Sequence, residues 1–181
     1  TISSALWPGL VLDVKSGSSA NKANVQIYQS NNSAAQSWNF ISENELYASL
    51  DKRASINKDV LRDGTYVISS DTDNSKVLDV TNGSKSDGAN IQMWEANMSE
   101  AQQWKVSHDE KGYVSFTNIG SGKVLEVESG AAQSGTNVQQ NSSNDSRGQK
   151  WIVEQNEDGT YTLTSAVWDS LVLDIQSGDP K

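Results

Sequence analysis

An all-β protein assembled from repeated four-strand units is predicted by two properties of the sequence. The first is a spacing that occurs three times: a carboxylate after a hydrophobic residue, then an N-x-Q triplet, then a Q-x-W triplet. The copies read Leu12-Asp13-Val14, Asn24-Val25-Gln26, Gln36-Ser37-Trp38; Leu78-Asp79-Val80, Asn90-Ile91-Gln92, Gln102-Gln103-Trp104; and Leu125-Glu126-Val127, Asn137-Val138-Gln139, Gln149-Lys150-Trp151. In each copy the tryptophan falls 25 residues after the carboxylate, although the residues between differ widely. A repeat this regular sets the architecture, because every copy must build the same unit and bury the same face. The second property is a strand signal. Asp63-Gly64, Lys111-Gly112 and Asp158-Gly159 each precede alternating aromatic and β-branched residues, a hairpin pattern in which glycine accepts positive φ.

Each unit therefore opens on a strand after its glycine, as in Thr65-Tyr66-Val67-Ile68-Ser69-Ser70. A short apolar strand follows at Lys76–Val80, then a loop rich in Gly, Ser and Asn, a third strand at N-x-Q and a fourth at Q-x-W. The unit repeats every 47 residues between Asp79 and Glu126. Units of that size make propeller blades or trefoil lobes, and a propeller needs at least about four blades. Three complete lobes and a C-terminal half-lobe therefore predict a β-trefoil. In it Trp38, Trp104 and Trp151 fill the core, and the glutamine two residues before each tryptophan bonds backbone within its own lobe, since a half-buried amide must find partners.

The spacing also divides the chain. Residues 1–41 form one lobe, 63–110 and 111–157 two more, and 158–181 a truncated one. Between Asp13 and Asp79 the carboxylate spacing grows to 66 residues, and the Glu, Leu, Lys, Arg and Ala of residues 42–62 suit a short helix or loose connection. We read that segment as the join between two trefoils, with lobe 1–41 either the last lobe of the preceding trefoil or the piece that completes this one. Thr1-Ile2-Ser3-Ser4 reads as the inside of a strand, so a fragment of a longer protein is expected. The two ends are near copies, Leu10-Val11-Leu12-Asp13-Val14 against Leu171-Val172-Leu173-Asp174-Ile175. Two and a half lobes would leave a core open and strand edges unpaired. The N-terminal lobe is the expected closure, with the half-lobe competing for its place. Closure between chains would give a swapped dimer or a head-to-tail array.

Composition narrows the function. A formal net charge of −9 and a pI near 4.5 exclude the basic patches that nucleic acid or an anionic membrane face would need. With no cysteine there is no disulfide framework or thiolate metal site, and no apolar run approaches the roughly 20 residues of a membrane span. No cofactor is expected, and an enzyme is not expected either. The single histidine, His108, lies in the acidic stretch Ser107-His108-Asp109-Glu110, where it reads as a solvated loop residue. The repeated acids occur once per lobe, far apart around a threefold axis, whereas glycoside hydrolysis needs two carboxyls within about 10 Å. Asp71-Thr72-Asp73-Asn74 reads as a solvated hairpin tip and not a metal site.

Repeated Q-x-W units with an upstream L-D-V and an N-x-Q resemble the ricin-type β-trefoil lectins, close to the family 13 carbohydrate-binding modules. The cysteine-free, Asp-Gly-Thr-Tyr-led form is similar to the family's bacterial branch, often joined in tandem to secreted hydrolases or surface proteins. The resemblance implies a glycan-binding module that is extracellular or on the cell surface. It also implies a site in each lobe: the carboxylate accepts hydrogen bonds from adjacent sugar hydroxyls, and an aromatic just after the N-x-Q glutamine stacks on the pyranose face. A carboxylate takes two hydroxyl donors at once, and the C–H face of a sugar is apolar enough to lie on a ring. The matching residues are Asp79, Gln92 and Trp94 in one lobe and Asp13, Gln26 and Tyr28 in another. In the third lobe Glu126 replaces the aspartate and Asn141 the ring, so that lobe is read as silent.

The sequence departs from the family at one further place. An asparagine usually precedes the Q-x-W glutamine, and here the residues are Ala35, Ala101 and Gly148. Asn31 or Asn32, and Asn97 in the equivalent loop, are the candidates to supply the missing amide. Against the glycan-binding reading stands a structural or protein-binding trefoil with decayed sites, in which the aspartates only satisfy loop N–H groups. Trp7 and Trp168 occupy matching places before Leu12-Asp13 and Leu173-Asp174 and either rim a pocket or cover the barrel bottom.

Overall fold

A computed structural model describes residues 1–20 and 22–176, and the chain divides into two compact units, Thr1–Leu46 and a second beginning at Tyr47. The first unit is built on one antiparallel hairpin, β1 (Leu10–Val14) and β2 (Val25–Gln29), with Asp13 opposite Gln26 and Val11 opposite Tyr28. Ser3 adds an isolated bridge to Val11, and the Trp38 indole N–H donates to the Leu12 carbonyl at 3.2 Å.

The strand expected after Trp38 does not form; residues 37–42 are irregular. In the second unit the corresponding strand pairs with the first strand of the next lobe, whereas here the chain runs straight into a helix. Trp38 is accordingly only half-buried, and Phe40 is 86 % exposed where its counterpart Val106 is 0 %.

That helix, α1 (Glu43–Asn57), occupies the segment read as a short helix or loose connection. It opens with a capping box: Ser42 Oγ accepts the Glu45 N–H at 3.2 Å while Glu45 Oε2 accepts the Ser42 N–H at 2.9 Å. From Tyr47 onward it is an integral part of the second unit. Leu50 and Ala54, one turn apart on one face, are buried against Tyr113, Ile152 and Ala166. Polar contacts flank this stripe. Arg53 pairs with Glu154 and donates to the Asp169 carbonyl, and Asp51 accepts from Tyr113 Oη at 2.7 Å, Lys111 Nζ at 2.8 Å and Arg147 Nη2 at 3.3 Å. A loose join would expose these groups; here they are fixed.

The second unit holds β3 (Gly64–Tyr66), β4 (Lys76–Val80), β5 (Ile91–Glu95), β6 (Trp104–His108), β7 (Val114–Asn118), β8 (Val124–Val127), β9 (Val138–Asn141), β10 (Trp151–Gln155) and β11 (Tyr161–Ser165). One seven-stranded sheet runs β11-β10-β7-β6-β3, with β8 joined to β7 and β9; β4 and β5 form a separate hairpin. First and fourth strands thus pair both within a lobe, β3 with β6 and β7 with β10, and between lobes, β6 with β7 and β10 with β11, while the second and third close on each other. Trp104 and Trp151 are buried at 0 % and 1 % exposure among Leu78, Val80, Val106, Phe116, Leu125, Val127 and Val153, as the repeat predicts. Each indole N–H donates to the carbonyl beside its lobe's carboxylate, Trp104 to Leu78 at 3.1 Å and Trp151 to Leu125 at 3.4 Å.

The C-terminal half-lobe takes the third place in this core, which the sequence had suggested for the N-terminal lobe. β11 pairs with β10 from Trp151↔Ser165 to Gln155↔Tyr161, Thr164 bridges Val172, and Val167 joins the buried cluster with Leu163 and Leu173 packed against it. The reason is proximity along the chain: β10 and β11 are joined by the short turn at Asp158-Gly159, so this pairing closes the smallest loop. Within the chain, β11 and residues 167–173 therefore cover part of the core that two lobes alone would leave open. Residues 177–181 of the half-lobe lie outside the described residues.

The polar seam at α1 gives the unit a pH dependence. Burial alone would raise the Asp51 carboxyl, but hydrogen bonds from Lys111, Tyr113 and Arg147 and the charge of Lys111 outweigh it and hold the carboxyl below its ordinary value. Burial, then the hydrogen bond to Asp51, pushes the Tyr113 hydroxyl up to about 12. A lowered acid stabilises the fold above its unfolded value and loses that contribution as pH falls through the folded one. A raised tyrosine stabilises the fold below its unfolded value and loses that contribution as pH rises towards 12. Stability should therefore fall below about pH 4 and above about pH 10. Asp51→Asn should flatten the acid limb, read as midpoint against pH in urea unfolding; an unchanged acid limb would remove Asp51 from the account.

Candidate functional site

The second and third strands of each lobe form a hairpin whose register sets the carboxylate opposite the N-x-Q glutamine: Asp13↔Gln26, Asp79↔Gln92 and Glu126↔Gln139. Directly opposite side chains share a face, so the glutamine amide reaches the acid. The Nε2 to carboxylate distances are 2.9, 3.0 and 3.0 Å in chain order. Two residues on, strand alternation returns Tyr28, Trp94 and Asn141 to the face of that glutamine. Tyr28 and Trp94 are each 53 % exposed, too open for packed strand residues. The structure thus assembles Asp79, Gln92 and Trp94 on one hairpin and Asp13, Gln26 and Tyr28 on another.

A loop clamps each hairpin from the side. The Q-x-W glutamine sits in a short 3-10 turn and is buried in all three lobes. Its Oε1 accepts the backbone N–H of Asn31, Asn97 or Asn144 at 2.8 Å, and its Nε2 donates to the carbonyl of Gln29, Glu95 or Ser142 at 3.0, 2.9 and 2.9 Å. The expected backbone partners are therefore present. A contact the sequence did not suggest accompanies them: Gln36 and Gln149 also donate to Asp13 Oδ2 and Glu126 Oε1, each at 3.1 Å.

Acceptor capacity consequently differs between lobes. Both oxygens of Asp13 are engaged by glutamines. Glu126 accepts three bonds, since Asn141 Nδ2 also donates to Oε2 at 2.7 Å. Asp79 Oδ2 accepts no hydrogen bond among the described residues, which leaves it open to hydroxyl donors. Asn31 and Asn97 use their side-chain oxygens to accept the Ser33 and Ser99 N–H at 2.9 Å, so each has its amide nitrogen left to donate. Glycine at 148 has a steric reason: a Cβ there would stand 3.1 Å from Gly130 Cα and 3.3 Å from the Val127 carbonyl, so the family's asparagine does not fit without moving a loop.

Around Glu126 the surface is concave. A cavity of about 480 Å³ is bounded by the hairpin, the Asn144–Gly148 loop and Tyr47 of α1. The Arg147 guanidinium lies 3.6 Å from the Tyr47 ring centroid. Neither residue was a sequence candidate, because Tyr47 belongs to no repeat and the equivalents of Arg147 are Ala34 and Glu100.

Other sequence candidates settle differently. Trp7 and Trp168 are exposed at 61 % and 43 %. His108 ends β6 with Nδ1 2.6 Å from Asp63 and is mostly covered, not the solvated loop residue expected. No group of three or more His, Asp or Glu able to hold a metal occurs among the described residues.

A β-trefoil core carrying hairpins of carboxylate, glutamine and exposed ring defines the class of lectin-like trefoils. The chain belongs to the ricin-type beta-trefoil lectin domain-like family, whose model matches residues 2–94 and 100–181. Among solved structures it is similar to ThreeFoil, a designed threefold-symmetric protein, with 32 % identity and a TM-score of 0.62 over 66 % of this chain and 84 % of that one. An exo-β-1,3-galactanase from Clostridium thermocellum is similar at 28 % identity and a TM-score of 0.60, over 67 % of this chain and 26 % of the galactanase. The Rhizoctonia solani agglutinin, at 23 % identity and a TM-score of 0.60 over 67 % of this chain and 81 % of that one, shares the fold. No curated protein matches the sequence.

Proposed function

We propose that the chain is a carbohydrate-binding module that holds neutral glycans at shallow sites on the Asp79 and Asp13 hairpins. The observation that carries this reading is the placement of a half-exposed tryptophan, Trp94, on the strand face whose glutamine orients Asp79, a carboxylate with one oxygen open. The ring would take the apolar face of a pyranose while Asp79 and Asn97 exchange hydrogen bonds with its hydroxyls. Membership of a lectin-like family supports it, and so does a similar domain in a galactan-degrading enzyme. On the same ground we place the module in a larger secreted or surface bacterial protein. Single sites of this kind bind weakly, near millimolar, and gain strength from linked copies. The Asp13 hairpin, with both acid oxygens already bonded, is the weaker site; a lobe so satisfied is also what a purely structural trefoil would show.

Titration with β-1,3-galactobiose, followed by tryptophan indole resonances in 1H–15N spectra, tests this. The Trp94 indole should shift while those of buried Trp104 and Trp151 stay still. Loss of the ring in Trp94→Ala should weaken binding at that site roughly fivefold or more, and Tyr28→Ala should matter less. Unchanged affinity in Trp94→Ala, or no response to a broad glycan panel, would favour the structural trefoil.

A further inference from the structure

The loop that clamps each hairpin passes through one left-handed residue, directly after the asparagine whose N–H the Q-x-W glutamine holds. The three residues are Asn32, Met98 and Asp145, at φ 57, 58 and 57. Asparagine and aspartate tolerate that backbone because their short polar side chains bond locally, whereas methionine has nothing to offset the crowding of its Cβ. Burial does not compensate, since Met98 is 67 % exposed. The lobe nevertheless fixes the loop in this shape. Gln102 Oε1 accepts the Asn97 N–H at 2.8 Å, Asn97 Oδ1 accepts the Ser99 N–H at 2.9 Å, and Gln103 Nε2 donates to the Met98 carbonyl at 2.9 Å. The residues matching Gln103 are Ser37 and Lys150, and Lys150 Nζ pairs instead with the Asp145 carboxylate at 2.8 Å. An exposed residue held in a costly conformation by its surroundings is characteristic of positions that contact a ligand.

Its place in the Trp94 site tells what Met98 would contact. It lies four residues beyond Trp94, so within about 14 Å along the chain. It directly follows Asn97, whose amide nitrogen has no partner among the described residues. An amide donor beside an exposed thioether matches an acetyl group, which carries a carbonyl acceptor and a methyl on a single carbon. Asn97 has two N–H groups, so one serves a ring hydroxyl and the other the acetyl carbonyl. In the other lobes the corresponding amide is followed by Asn32 or Asp145, which offer no apolar surface.

We propose that Met98 is a specificity-determining residue of the Trp94 site and selects sugars that carry an acetyl group. The Trp94 ring takes the pyranose face, Asn97 donates to the acetyl carbonyl and Met98 covers the methyl. That group is an amide in N-acetylhexosamines and an ester in O-acetylated polysaccharides, and these contacts are common to both. This inference rests on the carbohydrate reading above, and its test separates the two.

The Trp94 indole resonance of the full chain is followed during titration with the methyl glycosides of galactose and glucose, their 2-acetamido counterparts and each of their mono-O-acetyl esters. At least one acetylated sugar should bind roughly fourfold more tightly than its unacetylated parent, the worth of one buried methyl group. An amide preferred to the esters identifies N-acetylhexosamines as the ligand, and the reverse identifies O-acetylated chains. Met98→Asn should bring the ratio of acetylated to parent affinity close to one, and Met98→Leu should keep it. Because asparagine suits the left-handed backbone, Met98→Asn should also raise the urea midpoint; a midpoint that does not rise would remove the strain on which the inference is built. The inference is equally wrong if no acetylated sugar is preferred, or if Met98→Asn keeps the preference. A Trp94 shift with unacetylated sugars would then leave the platform reading standing, whereas silence of Trp94 towards every sugar would end both.

Discussion

Replacing Gly112 by alanine is expected to cost about 3 kcal/mol or more of unfolding free energy. Gly112 sits at φ +93, and a Cβ there would lie 2.5 Å from the Ala54 carbonyl oxygen and 2.9 Å from Lys58 Cβ. Helix backbone does not yield to such an overlap, so α1 must shift as a body. The shift strips cover from Leu50 and Ala54, and burial of a leucine alone is worth about 2 kcal/mol. The neighbouring lobe supplies the control. Gly159 has nearly the same backbone, φ +88, but nothing within 4 Å of a Cβ. Gly159→Ala should therefore cost only the conformational strain, roughly 1–2 kcal/mol. Urea unfolding of both variants measures the difference, and equal losses would mean that the helix does not press on the Gly112 turn.

A second large effect separates the tryptophans. Trp104→Ala should cost about 3–5 kcal/mol, since it empties a fully buried volume and strands the Leu78 carbonyl that its indole satisfied. Trp94→Ala, ten residues earlier and half-exposed, should stay within about 0.5 kcal/mol of the unmodified protein. One substitution removes the fold and the other only the ligand. Comparable losses from the two would mark Trp94 as a packed residue and withdraw it as a sugar platform.

These contrasts show what could be read from the chain and what could not. Trp104 and Trp151 were legible as core because a period of 47 residues repeats the same burial, and burial depends only on the lobe's own pattern. The hairpin register of acid, glutamine and ring was legible for the same reason, strand alternation being local. The docking of α1 was not, because among the described residues its buried stripe is Leu50 and Ala54, and their partners Tyr113, Ile152 and Ala166 lie at or beside three separate strands. Nor could the sequence choose between the two near-copied ends for the third place in the core. Leu12 and Leu173 carry the same chemistry, and chain connectivity, not composition, decides between them. The bonds from Gln36 and Gln149 to the acids, and the walling of the Glu126 cavity by Tyr47, arise where loops approach in space, which a repeat pattern does not encode.

The glutamine clamp has an evolutionary reading. It anchors every site loop through main-chain groups, with no main-chain bond of the clamp made by the side chain at the ring position two residues beyond the N-x-Q glutamine. That position holds tyrosine, tryptophan and asparagine in the three lobes while the main-chain bonds of the clamp keep their lengths to within about 0.1 Å. Recognition can therefore drift lobe by lobe under separate selection, one codon at a time, on a frame whose inheritance is shared. A duplicated lobe starts as a redundant copy and is free to diverge without endangering the fold that carries it.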